Sequence, residues 1–353
     1  MIQHHLLNRR NALLALGGGA LAAVGGCTNP LDPPAPCPQD PSRNGGVDWY
    51  PDVGRPVAWG EEHLAVADGA PMPMSIYYPS ARFLPPRPML QRCAGKFPLV
   101  MFIHGMPPQG VANAGFHRAW WRIPVALARS GHVVVVPNHV AGPRTEGTVL
   151  QPAIDYVLNK WEGAPWVMKQ SRSHAVVGHS FGALMALRYA VANPGLGAVA
   201  ALGPNPTEDA QPAALWRAIP CPTFVMFARD EQVPPENPGS LFDTSGQDRW
   251  LCSYAGLHFD YLESGVPVPE RGPCGAIGRI AADLLALFMG ANLFSVTRVP
   301  IDLSVPVVTR TPLQEQLAVA WLTSFGLVRG GKDCSIDLKW NVGGQQGSRA
   351  VAP

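Results

Sequence analysis

Ser180 lies between two glycines in Gly178-His179-Ser180-Phe181-Gly182. The run before it, 174–178 (HAVVG), is apolar and β-branched. The run after it, 181–192 (FGALMALRYAVA), has the composition of a buried helix. A strand that turns sharply into a helix thrusts the turn residue out over the sheet, and its neighbours must be small for the chain to pass. A serine presented in this way is placed for attack, but its hydroxyl is a weak nucleophile without a base. Downstream of Ser180 the chain has a single histidine, His258, in the loop-like GLHFDY that follows the apolar run RWLCSYA. An acid between the two would hold the imidazole in the right tautomer and stabilise the imidazolium. Asp230 stands one residue beyond the apolar run PTFVMFA and is the expected acid, with the adjacent Glu231 as the alternative.

Attack on a carbonyl leaves a negative oxygen, which needs preset donors. The backbone N–H of Phe181, next after the serine, is the first. The second is expected from the N–H of Met106 in FIHGM, where Gly105 lets the backbone turn closely. His104 reads as a packing residue rather than a base. This set of groups requires no cofactor and no metal. Trp120 and Trp121 are candidates to line a substrate cleft near the same loop, although helix-core packing accounts for at least one of them.

Alternating elements are needed to bring these residues together. The runs 97–103, 132–138, 174–178, 196–203, 222–228 and 249–255 are continuously apolar, as strands buried on both faces must be. Helical spacing is expected over 116–129, 149–161, 181–192 and 276–289, and the stretch 61–80 reads as edge strands. Such alternation predicts an α/β fold, a mostly parallel twisted sheet with helices on both faces. Ligand sites in these sheets lie beyond the carboxyl ends of the strands, where every candidate above falls. About twenty residues separate the run ending at 203 from the one beginning at 222, too few for a large helical lid. An open cleft suited to varied esters or polymer chains is therefore expected. The hexapeptide GLGAVA (195–200) matches a dinucleotide fingerprint, but it has a helix before it and a strand after it, the reverse of what that site needs.

These residues resemble the α/β-hydrolase superfamily. The nearest-looking branch is the exported group around platelet-activating-factor acetylhydrolases, dienelactone-hydrolase-like proteins and cutinase-like polyester hydrolases. The resemblance covers roughly 61–290 and rests on FPLVMFIHGM, GHVVVVPNHVAG, AVVGHSFGALMALRYA, FARDEQVPP and GLHFDY. It implies an α/β-hydrolase fold and a Ser180–His258–Asp230 triad. Two departures stand out: Ala183 occupies a place where many relatives have glycine, and dienelactone hydrolases proper use a cysteine nucleophile where this chain has Ser180.

The N-terminal 1–26 reads as an export signal, with Arg9 and Arg10 ahead of a run of Ala, Leu, Gly and Val over 12–24. That run is shorter than the ~20 residues a membrane span takes. The paired arginines partly match a twin-arginine signal, and the general secretory route is the alternative. Val24-Gly25-Gly26-Cys27 resembles a lipoprotein cleavage box, in which Cys27 would carry lipid and anchor the chain to a membrane; ordinary cleavage near 20–22 is the alternative. The Pro-rich 27–60 reads as a tether, 61–295 as the catalytic domain and 296–353 as an extension of it. Removing 1–26 takes away two arginines and no acid, leaving 25 charges of each sign. With no basic stripe, nucleic acid is not an expected partner.

Six cysteines besides Cys27 permit up to three disulfides in an exported chain, and Cys252 with Cys274 is the first pair expected, because they bracket His258. The combined expectation is an exported, lipid-anchored carboxylic ester hydrolase. An amidase, peptidase or thioesterase would use the same triad. A binding lipoprotein would keep the fold without activity, and a cysteine-dependent hydrolase would need a reactive thiol.

Overall fold

The computed structural model of the chain describes residues 57–64, 71–80, 96–139, 149–204, 212–229, 248–262, 266–268, 272, 277–293, 336–342 and 345–351. Ten strands form one sheet: β1 (Val57–Leu64), β2 (Met72–Pro79), β3 (Leu99–Ile103), β4 (Val133–Pro137), β5 (His174–His179), β6 (Ala198–Leu202), β7 (Thr223–Ala228), β8 (Arg249–Tyr254), β9 (Ile336–Val342) and β10 (Gln345–Val351). Five α-helices accompany them: α1 (Arg122–Arg129), α2 (Gln151–Asn159), α3 (Phe181–Ala192), α4 (Pro212–Ala218) and α5 (Ile277–Leu293). The sheet order is β1-β2-β4-β3-β5-β6-β7-β8-β9-β10. Neighbours from β4 through β8 run parallel, and the pairs at both edges are antiparallel. The expected α/β architecture is therefore present, with one sheet crossing both the catalytic span and the C-terminal tail.

Strand alternation divides the core. Val100, Phe102, Val134, Val136 and Val177 join α1 and α5 on one face. Leu99, Met101, Ile103, Val133, Val135 and Val176 join α2 and α3 on the other. Every residue of β3, β4, β5 and β6 is buried. Full burial of one such Val, Leu, Ile or Phe is worth ~1.5–3 kcal/mol, so apolar packing on two faces holds the strand ends rigid enough to carry a site.

Several elements depart from the sequence expectation. The helix expected over 116–129 is a 3-10 turn, Phe116–Trp120, followed by α1, because Gly115 with φ 77 starts it and Pro124 stands inside the first turn. A short helix, α4, occupies the connection between β6 and β7, where no large lid was expected. GLGAVA is preceded by α3 and runs into β6. The tail supplies β9 and β10; β9 pairs antiparallel with β8 and buries Ile336 in the core. β1 begins at Val57, inside the stretch expected to be tether. Cys252 is a free thiol in the middle of β8, fully buried, so the expected bond to Cys274 does not form; Cys221 is likewise free and buried. Among the described residues, no helix is long and apolar enough to cross a membrane. The leader with Cys27, residues 28–56, Asp230, Glu231 and Cys274 lie outside the described residues.

Candidate active site

Ser180 ends β5 and starts α3 with φ 55 and ψ −121, and it is the one non-glycine residue with positive φ among those described. Such a conformation costs of order 1–3 kcal/mol and persists only where its surroundings enforce it. The enforcement is steric. A Cβ at Gly178 would overlap the carbonyl of Gly182, and a Cβ at Gly182 would overlap the carbonyls of Ile103 and His104. The two glycines therefore let α3 start directly against the ends of β5 and β3. The Ser180 N–H donates to the Leu202 carbonyl at 2.9 Å, extending the β5–β6 ladder by one bond. A serine at a helix start commonly caps the helix with its hydroxyl; Ser180 makes no such side-chain bond, and it is only half-buried. Its hydroxyl is thus presented at the rim of the sheet, as the spacing of the two glycines predicts.

The wall facing Ser180 is the turn after β3. A Cβ on Gly105 would sit 2.6 Å from the Ser180 Cβ, so only glycine permits this approach. Met106 follows at once, with its side chain 56% exposed. The Phe181 N–H is the first amide of α3. Amides of a first turn have no partner within their own helix, and they carry the positive end of its dipole. Phe181 thus follows Ser180 at the helix start, and Met106 follows the Gly105 that lies against Ser180.

His258 reaches the same place from β8. Its ring centroid is 4.7 Å from that of His179, the residue before Ser180. His179 Nε2–H donates to the His258 carbonyl at 3.0 Å. Other groups fasten the same loop. The buried carboxylate of Asp260 accepts the Leu257 N–H at 2.8 Å and the Gly272 N–H at 2.9 Å. Tyr254 Oη–H donates to the Leu257 carbonyl at 3.1 Å. His258 itself is half-buried. Ser180, Gly105 and His258 therefore all adjoin His179.

His179 is fully buried against Trp120, Tyr261 and His258. Burial, and secondarily the neighbouring His258, push its pKa well below 6.5, so it stays neutral. Trp120 is 2% exposed and packs on Phe102 and His179, behind the site rather than in a cleft, whereas Trp121 is 39% exposed. The thiols of Cys221 and Cys252 are both pushed up to about 12 by burial, which keeps them protonated and inert.

Asp230 lies outside the described residues, and Arg229 before it is described. The Arg229 N–H donates to the Tyr254 carbonyl at 2.8 Å, and its guanidinium pairs with Asp337 on β9. The strand end leading to Asp230 is thereby tied to the strand that leads to His258. Asp260, His139 and the bonding role of His179 were missed from sequence. The middle residue of G-x-S looks arbitrary, and an aspartate two positions past a histidine carries no pattern of its own.

Comparison with known families places residues 100–326 in the alpha/beta hydrolase family. That span runs from within β3 past α5 and contains Ser180, Asp230 and His258. No curated protein matches the chain.

Proposed function

The chain belongs to the alpha/beta hydrolase family, and we propose that it is a carboxylic ester hydrolase working through a Ser180–His258–Asp230 triad. His258 takes the Ser180 proton as the oxygen attacks the ester carbonyl, and the N–H groups of Phe181 and Met106 hold the oxyanion. Collapse of the tetrahedral intermediate breaks the bond to the alkoxy oxygen, and His258 returns the proton to the leaving alcohol. Water, deprotonated by His258, then attacks the acyl-enzyme; the bond to the Ser180 oxygen breaks, His258 returns the proton to that oxygen, and the acid leaves. Asp230 keeps the His258 imidazole oriented throughout.

The observation that carries this proposal is the strained Ser180 elbow, with Gly105 against it and the His258 ring packed beside its neighbour His179. The buried, protonated thiols favour serine over cysteine chemistry. The ester class rests on the resemblance to exported esterases and on the short connection between β6 and β7. Export, with lipid on Cys27, completes the proposal and rests on the leader's pattern alone.

Hydrolysis of nitrophenyl esters graded from acetyl to palmitoyl, beside anilides and a polyester film, tests the substrate class. Ester turnover well above anilide turnover is expected, and it should vanish in Ser180→Ala. Turnover of anilides alone would contradict the ester assignment. Intact-mass analysis of the membrane fraction tests the anchor: the mature chain should begin at a lipidated Cys27.

A further inference from the structure

Two histidines that take no part in this chemistry are buried at the end of β3. His104 and His139 are 0% and 1% exposed, and their rings stack at 4.2 Å with 20° between the planes. His139 Nε2–H donates to the His104 carbonyl at 2.8 Å. His104 Nδ1–H in turn donates to the Gly105 carbonyl at 2.7 Å. A carbonyl oxygen only accepts, so these bonds assign the proton to Nε2 of His139 and to Nδ1 of His104. Behind them, Asn113 Nδ2–H donates to the His139 carbonyl at 3.2 Å. Phe116 closes the other side of His104, edge-on at 5.2 Å. The His104 imidazole is held neutral, first by burial and then by His139.

This chain of bonds ends on the peptide unit between Gly105 and Met106. In a planar trans peptide the C=O and the N–H point in opposite directions. A carbonyl drawn to the His104 ring therefore aims the Met106 N–H away from that ring. Gly105, at the hinge of this peptide, touches Ser180. Gly105 is buried against Ser180 but has no side chain, and Met106 is exposed, so neither side chain fixes the plane of the peptide between them. Imidazole suits the task because its face stacks while its edge donates. Phenylalanine would stack without donating, and glutamine would donate without stacking.

We propose that His139 is a positioning residue for the oxyanion site: it locks His104, and through His104 the Gly105–Met106 peptide, so that the Met106 N–H is preset before substrate arrives. This rests on the reading of Ser180 as nucleophile and Met106 as oxyanion donor.

The test compares His139→Phe and His139→Gln with the wild type. Misplacing one oxyanion donor should lower kcat in His139→Phe by roughly 10–100-fold with KM within about twofold, short of the ~10²–10³ for full removal. His139→Gln, whose amide reaches the same carbonyl, should recover most of that loss. Unchanged kcat in His139→Phe, or a His139→Gln no better than it, would overturn the role. Should His139→Phe not fold, imidazole nitrogen NMR of the wild type still decides: protons on Nδ1 of His104 and Nε2 of His139 are expected, and either opposite tautomer overturns the clamp. Those spectra do not depend on turnover. A wild type that neither hydrolyses esters nor reacts with a fluorophosphonate would count against the hydrolase reading alone.

Discussion

The elbow at 178–182 and the histidine loop at 254–261 meet at one rim of the sheet but are held by different forces. The elbow is set by excluded volume: two glycines admit a backbone crossing that any Cβ would block, and strained Ser180 follows from it. The loop is set by polar groups brought from elsewhere. Asp260 takes two N–H groups, Tyr254 gives to the Leu257 carbonyl, and His179 gives to the His258 carbonyl. The proposed nucleophile is thus held by packing within five residues. The loop of the proposed base is held by hydrogen bonds from groups outside that base.

The sharpest way to break this contrast is Gly182→Ala. The new methyl would meet backbone carbonyls that cannot swing aside. Displacing the elbow by about 1 Å should lower kcat/KM by at least ~10²-fold. Overpacking should add a stability loss of about 1–3 kcal/mol, read as a lower melting midpoint. Next comes Asp260→Ala, which strands the Leu257 and Gly272 amides in a buried site. At about 1–3 kcal/mol for each unsatisfied group, a loss of several kcal/mol is expected in denaturant melts, with slower turnover. Because the elbow remains intact, Ser180 should still react with a fluorophosphonate, only more slowly. Complete loss of reaction in folded Asp260→Ala would show that the two regions are not independent.

Sequence reading succeeded where geometry is local. The apolar runs located β3 through β8, and the glycine spacing located the turn from β5 into α3. It failed where partners lie far apart along the chain. His139 sits 35 positions from the carbonyl it holds, and His179 sits 79 from its own. No periodicity links such pairs. The supposed Cys252–Cys274 bridge failed for a related reason, since spacing around His258 said nothing about which way Cys252 points in β8. His104 did read as a packing residue, but its bond to Gly105 depends on which ring nitrogen faces the carbonyl. The tail, read only as an extension of the catalytic domain, supplies β9 and β10, and the pairing of β9 with β8 joins residues more than 80 positions apart.

Acid should discriminate between the regions more gently. Burial lowers the pKa values of His104, His179, His117 and His174 below 6.5. The unfolded chain then binds protons near 6.5 that the folded chain refuses, so their contribution is complete above that pH and is lost on acidification. The slope is at most about 1.4 kcal/mol per pH unit for each histidine. Melting midpoints should fall between pH 7 and pH 5, less so in His179→Gln. The smallest effect expected is a contribution of opposite sign, on α5. Burial pushes Asp283 up to about 6, against the pull of Arg279 and Arg122. Its folded pKa exceeds the unfolded 3.8, so ionisation destabilises the fold as pH rises through about 6. Asp283→Asn should therefore raise the midpoint more at pH 8 than at pH 5, with activity untouched.

The most direct measurement is the site and rate of fluorophosphonate modification in the purified chain, read by peptide mass. One adduct is expected, on Ser180, absent in Ser180→Ala and slowed by roughly 10³-fold or more in His258→Ala, as removal of a triad base demands. An unmodified wild type, an adduct elsewhere, or a His258→Ala chain that reacts as fast as the wild type would contradict a serine nucleophile activated by this histidine.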